Sequence, residues 1–188
     1  MKVGDKDIEG KIFEVTRELI YKFGVRGWNM DDLSEACSMS KRTLYKIISN
    51  KEELLLKISL ASVDENIAKI NEYFNSNESY EYLLDNFGNA LLAIFNEYII
   101  KNSDALRKEY PRIGEAIQDR RKRFNQLYTD FFKKGKELGY FVDFAEPEAM
   151  CGILNDILGN YVLTCKDKAE FEEKMGFAIQ ILVRGIRK

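Results

Sequence analysis

Apolar residues recur every three or four positions along almost all of this 188-residue chain, and strand-like alternation is scarce. That spacing lines side chains up on one stripe of an α-helix, whereas a half-buried strand needs a spacing of two. The expected fold class is therefore all-α. In the first segment Ile8, Ile12, Val15, Leu19, Ile20 and Phe23 form one stripe, and Gly24 stands where a left-handed C-cap belongs.

Capping residues divide the rest of the chain. Asn29 opens a short helix carrying Met30, Leu33 and Ala36, with Asp32 at its third position. A turn at Cys37-Ser38-Met39 follows, and Ser40 caps a second short helix from Lys41 to about Ile48. Asn50, with Glu53 three residues on, starts a long helix to about Phe74. Further helices are expected over Tyr80 to Ile100, over Ser103 to Tyr110 with Pro111 as its stop, and over Gly114 to Leu138 with Gly139 closing it. Pro147 suits the first turn of a helix through Val162, and the last runs from Lys168 to Arg187. The expectation is about nine helices with no linker and no internal repeat. Residues 1–50 are expected to form one domain and residues 51–188 another.

Composition removes several function classes. The chain has no histidine, which takes away the commonest general base and the commonest zinc ligand together. No Gly-rich phosphate loop, paired-carboxylate signature or metal-spaced cluster occurs, so an enzyme is not expected, nor a cofactor or metal. Cys37, Cys151 and Cys165 form no CxxC pair and are odd in number, which suits free thiols in a reducing cytoplasm. No apolar run is long enough to span a membrane, and the opening Met1-Lys2-Val3-Gly4-Asp5 has no apolar export core behind it.

The net charge of −2 argues against a nucleic-acid partner until it is divided along the chain. Residues 1–51 hold ten Lys/Arg against eight Asp/Glu, a surplus of two; the remainder holds nineteen against twenty-three, a deficit of four. Within residues 38–51 there are four basic residues and no acid. Local sign governs a phosphate-facing surface more than the sum does.

The run from Gly24 to Leu55 carries the specific signal. Gly24 ends the first helix, Asn29-Met30 opens the second, and Met39-Ser40-Lys41-Arg42-Thr43-Leu44-Tyr45 opens the third. Asn50-Lys51-Glu52-Glu53-Leu54 begins the fourth, without a gap in spacing. This run resembles the N-terminal signature of the tetracycline-repressor (TetR) family of transcriptional regulators. The run departs from the pattern in three places: Ser38 stands where a glycine usually makes a left-handed turn, Ile47-Ile48 replaces an aromatic pair, and Arg42 replaces a residue that is often glycine.

The resemblance implies a helix-turn-helix whose second short helix enters the major groove of double-stranded operator DNA. Ser40 caps that helix, Lys41 and Arg42 reach guanine edges or phosphates, and Thr43 a phosphate or thymine methyl. Tyr45 and Lys46 suit backbone contact, Lys51 resembles the family's phosphate-clamping lysine, and Asn29 and Met30 complete the expected DNA-binding set. Leu44 is expected to point inward, against Leu33 and Phe23.

For the C-terminal half the resemblance implies a ligand-binding and dimerisation domain. The last two helices are apolar over much of their surface, and Gly152, Gly159 and Gly176 are expected to allow close approach of a second copy. The expected homodimer interface is Ile153, Leu154, Ile157, Tyr161, Phe177 and Ile181. The expected pocket for an unknown small-molecule inducer, apolar or aromatic, is Phe87, Leu91, Phe95, Tyr98, Phe124, Tyr128 and Asn155. The run Arg120 to Arg123 reads as an exposed basic face. A repressor released from its operator by ligand is the expected function; the alternative is a helical ligand- or protein-binding module of the same fold that no longer binds DNA.

Overall fold

A computed structural model describes residues 6–188, apart from the side chains of Lys6 and Tyr98. Tyr98, expected in the pocket, and the opening Met1–Asp5 thus lie outside the described residues. Among the described residues there are nine helices: α1 (Lys6–Phe23), α2 (Met30–Ala36), α3 (Lys41–Ile47), α4 (Lys51–Phe74), α5 (Tyr80–Ala93), α6 (Glu97–Glu109), α7 (Pro111–Glu137), α8 (Pro147–Thr164) and α9 (Lys168–Ile186). The only extended pairing among them is an isolated antiparallel bridge between Phe141 and Arg187.

The caps have the chemistry that their residues suggest. Gly24 and Gly139 take positive φ, 68° and 80°, at the ends of α1 and α7. Asn29 forms a full capping box with Asp32. Two boundaries differ from expectation. The helix expected to run from Tyr80 to Ile100 breaks after Ala93, because the Asn96 side chain accepts from the Ile99 N–H at 2.9 Å and so starts α6. Pro111 opens α7 directly, since a proline at the first helical position loses no hydrogen bond.

The chain folds as two compact units. The first comprises the residues to Ser62 together with Ala105–Ile117, so that the expected boundary at residue 50 falls within it. Its core contains Ile12, Ile20, Val25, Trp28, Leu33, Leu44, Ile48, Leu54, Leu55 and Ile58, all buried. Thr16 is buried within the α1 stripe, its hydroxyl donating to the Ile12 carbonyl at 2.6 Å. Phe23 corrects the expected α1 stripe: it is 57% exposed, because the chain turns at Gly24 and Val25 and Trp28 fill the core instead.

The second unit comprises Val63–Asp104 and Gln118–Lys188. Its core is dominated by aromatic rings, with Phe87 and Phe131 stacked at 5.5 Å and Phe74 and Phe131 at 4.4 Å. The C-terminus is fastened by backbone bonds from Val142 N to Ile186 O and from Lys188 N to Tyr140 O.

Candidate nucleic-acid interface

The geometry of α2 and α3 follows from two caps and one strained turn. After Ala36 the chain reverses through Cys37, Ser38 and Met39, with Ser38 N bonded to Glu35 O and Met39 N to Ser34 O, both at 2.9 Å. Ser38 holds φ 54°, the left-handed conformation that glycine adopts without cost. Ser40 then accepts from the Thr43 N–H at 3.1 Å and shares a 2.9 Å hydroxyl contact with Thr43 Oγ1.

One face of α3 goes in and the other out. Leu44 is fully buried, as is Ile48 just past the helix end. Ser40, Lys41, Arg42 and Lys46 are exposed, Tyr45 is 48% exposed and Thr43 half-buried. The outward surface is thus cationic and aromatic, and the apolar side is consumed by the core. Lys41 is not wholly free: its ammonium pairs with Asp31 at 2.7 Å, both side chains well exposed. Such a solvent-exposed pair contributes little to stability and yields readily to a phosphate.

Lys51 and Asn29 are held from behind. The Lys51 ammonium sits 4.1 Å from the centroid of the Trp28 ring and donates to the Trp28 carbonyl. Its partial burial pushes its pKa down, offset in part by Asp32. An ammonium has three N–H donors, so two remain for an anion. Asn29, an exposed residue, spends its side-chain oxygen on the Asp31 and Asp32 N–H groups. Met30 is a correction to the expected contact set, because it is 8% exposed and packs into the first unit's core. Trp28 was not among the expected site residues. A bulky aromatic directly before a capping Asn is its only signal.

Residues 12–58 match the family model for bacterial regulatory proteins of the tetR family. No curated protein matches the chain. Among solved structures, a TetR transcription regulator from Haloarcula marismortui superposes with TM-score 0.82 at 14% identity, over 98% of this chain and 100% of that one. The fatty acid degradation regulator FadR from Bacillus halodurans gives 0.73 at 18% identity, over 96% and 97%. SmeT, the repressor of the Stenotrophomonas maltophilia multidrug efflux pump SmeDEF, gives 0.67 at 13% identity, over 96% and 90%. The tetR-family match thus covers about a quarter of the chain, and the whole chain shares its fold with these solved regulators.

The second unit sorts the remaining expected residues. Of the dimer set, Ile153, Phe177 and Ile181 are 50%, 67% and 58% exposed, and Ile157 and Tyr161 are half-buried. Leu154 is 1% exposed and belongs to the core, one helical step away from the exposed face of α8. Gly159 and Gly176 also turn inward, against Arg121 and Leu92 of the same unit, whereas Gly152 is open. Of the pocket set, Phe87, Leu91 and Tyr128 are fully buried, Phe124 stacks on Tyr128 at 5.9 Å and Phe95 tilts against Phe171 at 5.1 Å. Asn155 donates to the Cys151 carbonyl at 2.8 Å. The arginine run is not the uniform exposed face expected: Arg120 is half-buried and paired with Asp64, and Arg121 is half-buried against α8. No helix among the described residues is long and apolar enough to cross a membrane.

Proposed function

We propose that this chain is a DNA-binding transcriptional regulator of the TetR type, a homodimeric cytoplasmic repressor that holds a near-palindromic operator and lets go when a small apolar or aromatic molecule binds in its C-terminal part. Residues 1–50 supply the DNA-binding function, and residues 51–188 ligand binding and dimerisation. The observation that carries the reading is the division of α3: Leu44 inward, with Lys41, Arg42, Tyr45 and Lys46 outward. A short helix with that division lays its outer side chains in the major groove, Arg42 toward a guanine edge and Lys46 and Tyr45 toward phosphates. Asn29, Ser40, Thr43 and Lys51 line the flanks of the same contact.

One such helix binds weakly, and two related by a twofold bind half-sites about 34–36 Å apart or a multiple of that. Ile153, Phe177 and Ile181, with Ile157 and Tyr161 beside them, offer the apolar face that a second copy would cover. Phe95, Phe124 and the rings near them supply the ligand environment. Helix α4 has residues in both units and is the covalent path by which a ligand would alter half-site spacing. A coupling free energy of about 1–3 kcal/mol is enough for such a response. SmeT is a repressor, which supports repression as the direction here.

The experiment is a mobility shift of the purified protein on fragments of its own genome at rising salt. Retarded fragments whose affinity falls steeply with salt support the reading, with a log–log slope of about −0.9 for each phosphate neutralised. Protein that leaves every fragment unshifted at low salt overturns it.

A further inference from the structure

Helix α7 carries four consecutive basic residues, and their surroundings differ. Arg120 is paired with Asp64, and Lys122 with Asp119 at 2.6 Å. Arg123 is exposed. Among the described residues Arg121 alone of the four is turned inward with no carboxylate against it: its Nη1 stands 3.6 Å from where a Cβ on Gly159 would be. Burial lowers its pKa, and the one titratable group among the described residues that bears on it is Tyr128. A guanidinium stays charged, so its desolvation needs an anion in return.

Two turns along the same face of α7, Tyr128 is 1% exposed and its hydroxyl has no hydrogen-bond partner among the described residues. Buried hydroxyls nearly always have one. Phe124, stacked on Tyr128, lies between the two on that face. Opposite them α8 presents Cys151, whose thiol contacts the Asn125 carbonyl at 3.4 Å, then Asn155, then Gly159, each one turn further on. Among the described residues, a cation without a counter-charge, a phenol without a partner and a ring between them thus share one seam of the second unit, where Arg121 lies against Gly159 of α8.

We propose that this seam receives the anionic head of the effector, a carboxylate or sulfonate on an apolar or aromatic body, with Arg121 as its counter-ion and Tyr128 as a hydrogen-bond donor. This rests on the effector-binding reading above and sharpens it, because an apolar body alone would leave Arg121 and Tyr128 unanswered. Arg121 thereby selects charged over neutral ligands of equal shape. Phe124 contributes a flat apolar wall to either.

The test uses two fluorescent probes with the same rings, anilinonaphthalene sulfonate and its uncharged parent phenylnaphthylamine, titrated into the whole protein. Wild type is expected to favour the sulfonate by at least about tenfold, the scale of one charge-assisted hydrogen bond. Arg121→Met should remove that preference while leaving phenylnaphthylamine affinity unchanged, and Arg121→Lys should keep part of it. Tyr128→Phe should weaken the sulfonate alone, and it serves in place of Arg121→Met should that variant not fold. A wild-type protein without the preference, or variants that retain it in full, overturns the assignment. A mobility shift on the same preparations separates this from DNA binding, which Arg121→Met should leave intact.

Discussion

Truncating Phe177 tests the homodimer on a residue that the core does not use. Phe177 is 67% exposed in the single chain. A phenylalanine side chain presents about 200 Å² at most, so about 130 Å² remains to be covered by a partner. At about 25 cal/mol per Å² that is about 3 kcal/mol for each protomer, of which alanine would keep about one third. A twofold interface counts the loss on both copies, giving about 4 kcal/mol and a dimer dissociation constant raised about a thousandfold. Sedimentation velocity over a dilution series reads that constant directly, and far-ultraviolet circular dichroism checks that Phe177→Ala remains helical. The reasoning fails if Phe177→Ala and wild type dissociate at the same concentration, or if the variant loses its helices instead of its partner.

Four further substitutions probe the first unit and the seam of the second. Leu44→Ala removes a fully buried side chain and should cost about 2–5 kcal/mol in chemical denaturation, whereas Tyr45→Ala, half-exposed beside it, should leave stability within about 0.5 kcal/mol and weaken DNA binding. Ser38→Gly relieves a non-glycine residue held at φ 54° and should stabilise by about 1 kcal/mol, read as a rise in melting temperature. The preference for an anionic probe should vanish with Arg121→Met, as set out above.

Features that depend on neighbours in sequence could be read before the structure was known. The capping box of Asn29 and Asp32, the Ser40 cap and the left-handed turns at Gly24, Ser38 and Gly139 are all set by residues within one turn of each other. Boundaries inside apolar stretches were harder. Leu91 and Phe95 keep helical phase across the break after Ala93, and its cap, Asn96, has Ile99 rather than an acid at the third position. Pro111 signals both the end of one helix and the start of another, and only the close succession of α6 and α7 decides.

Choices of face needed the tertiary structure. Helix α8 is apolar around most of its circumference, so Ile153 and Leu154 look alike until packing buries one and leaves the other half-exposed. Phe23 looks like core by its spacing, yet Trp28, five residues later, takes the volume. Arg121 is indistinguishable from Arg120 and Arg123 in sequence; its inward turn brings it beside Gly159, nearly forty residues away.

The account depends above all on the outer face of α3 reading bases, and the most direct measurement compares Arg42→Ala with wild type on two DNAs. One is an operator selected from a random pool by the wild-type protein, and the other is random sequence of equal length. Loss of a bidentate arginine–guanine contact should weaken the operator complex by about 1–3 kcal/mol and change the random complex far less. Equal losses on both DNAs would mean that Arg42 touches only phosphate, and a variant that binds both as wild type does would contradict the placement of α3 in the groove.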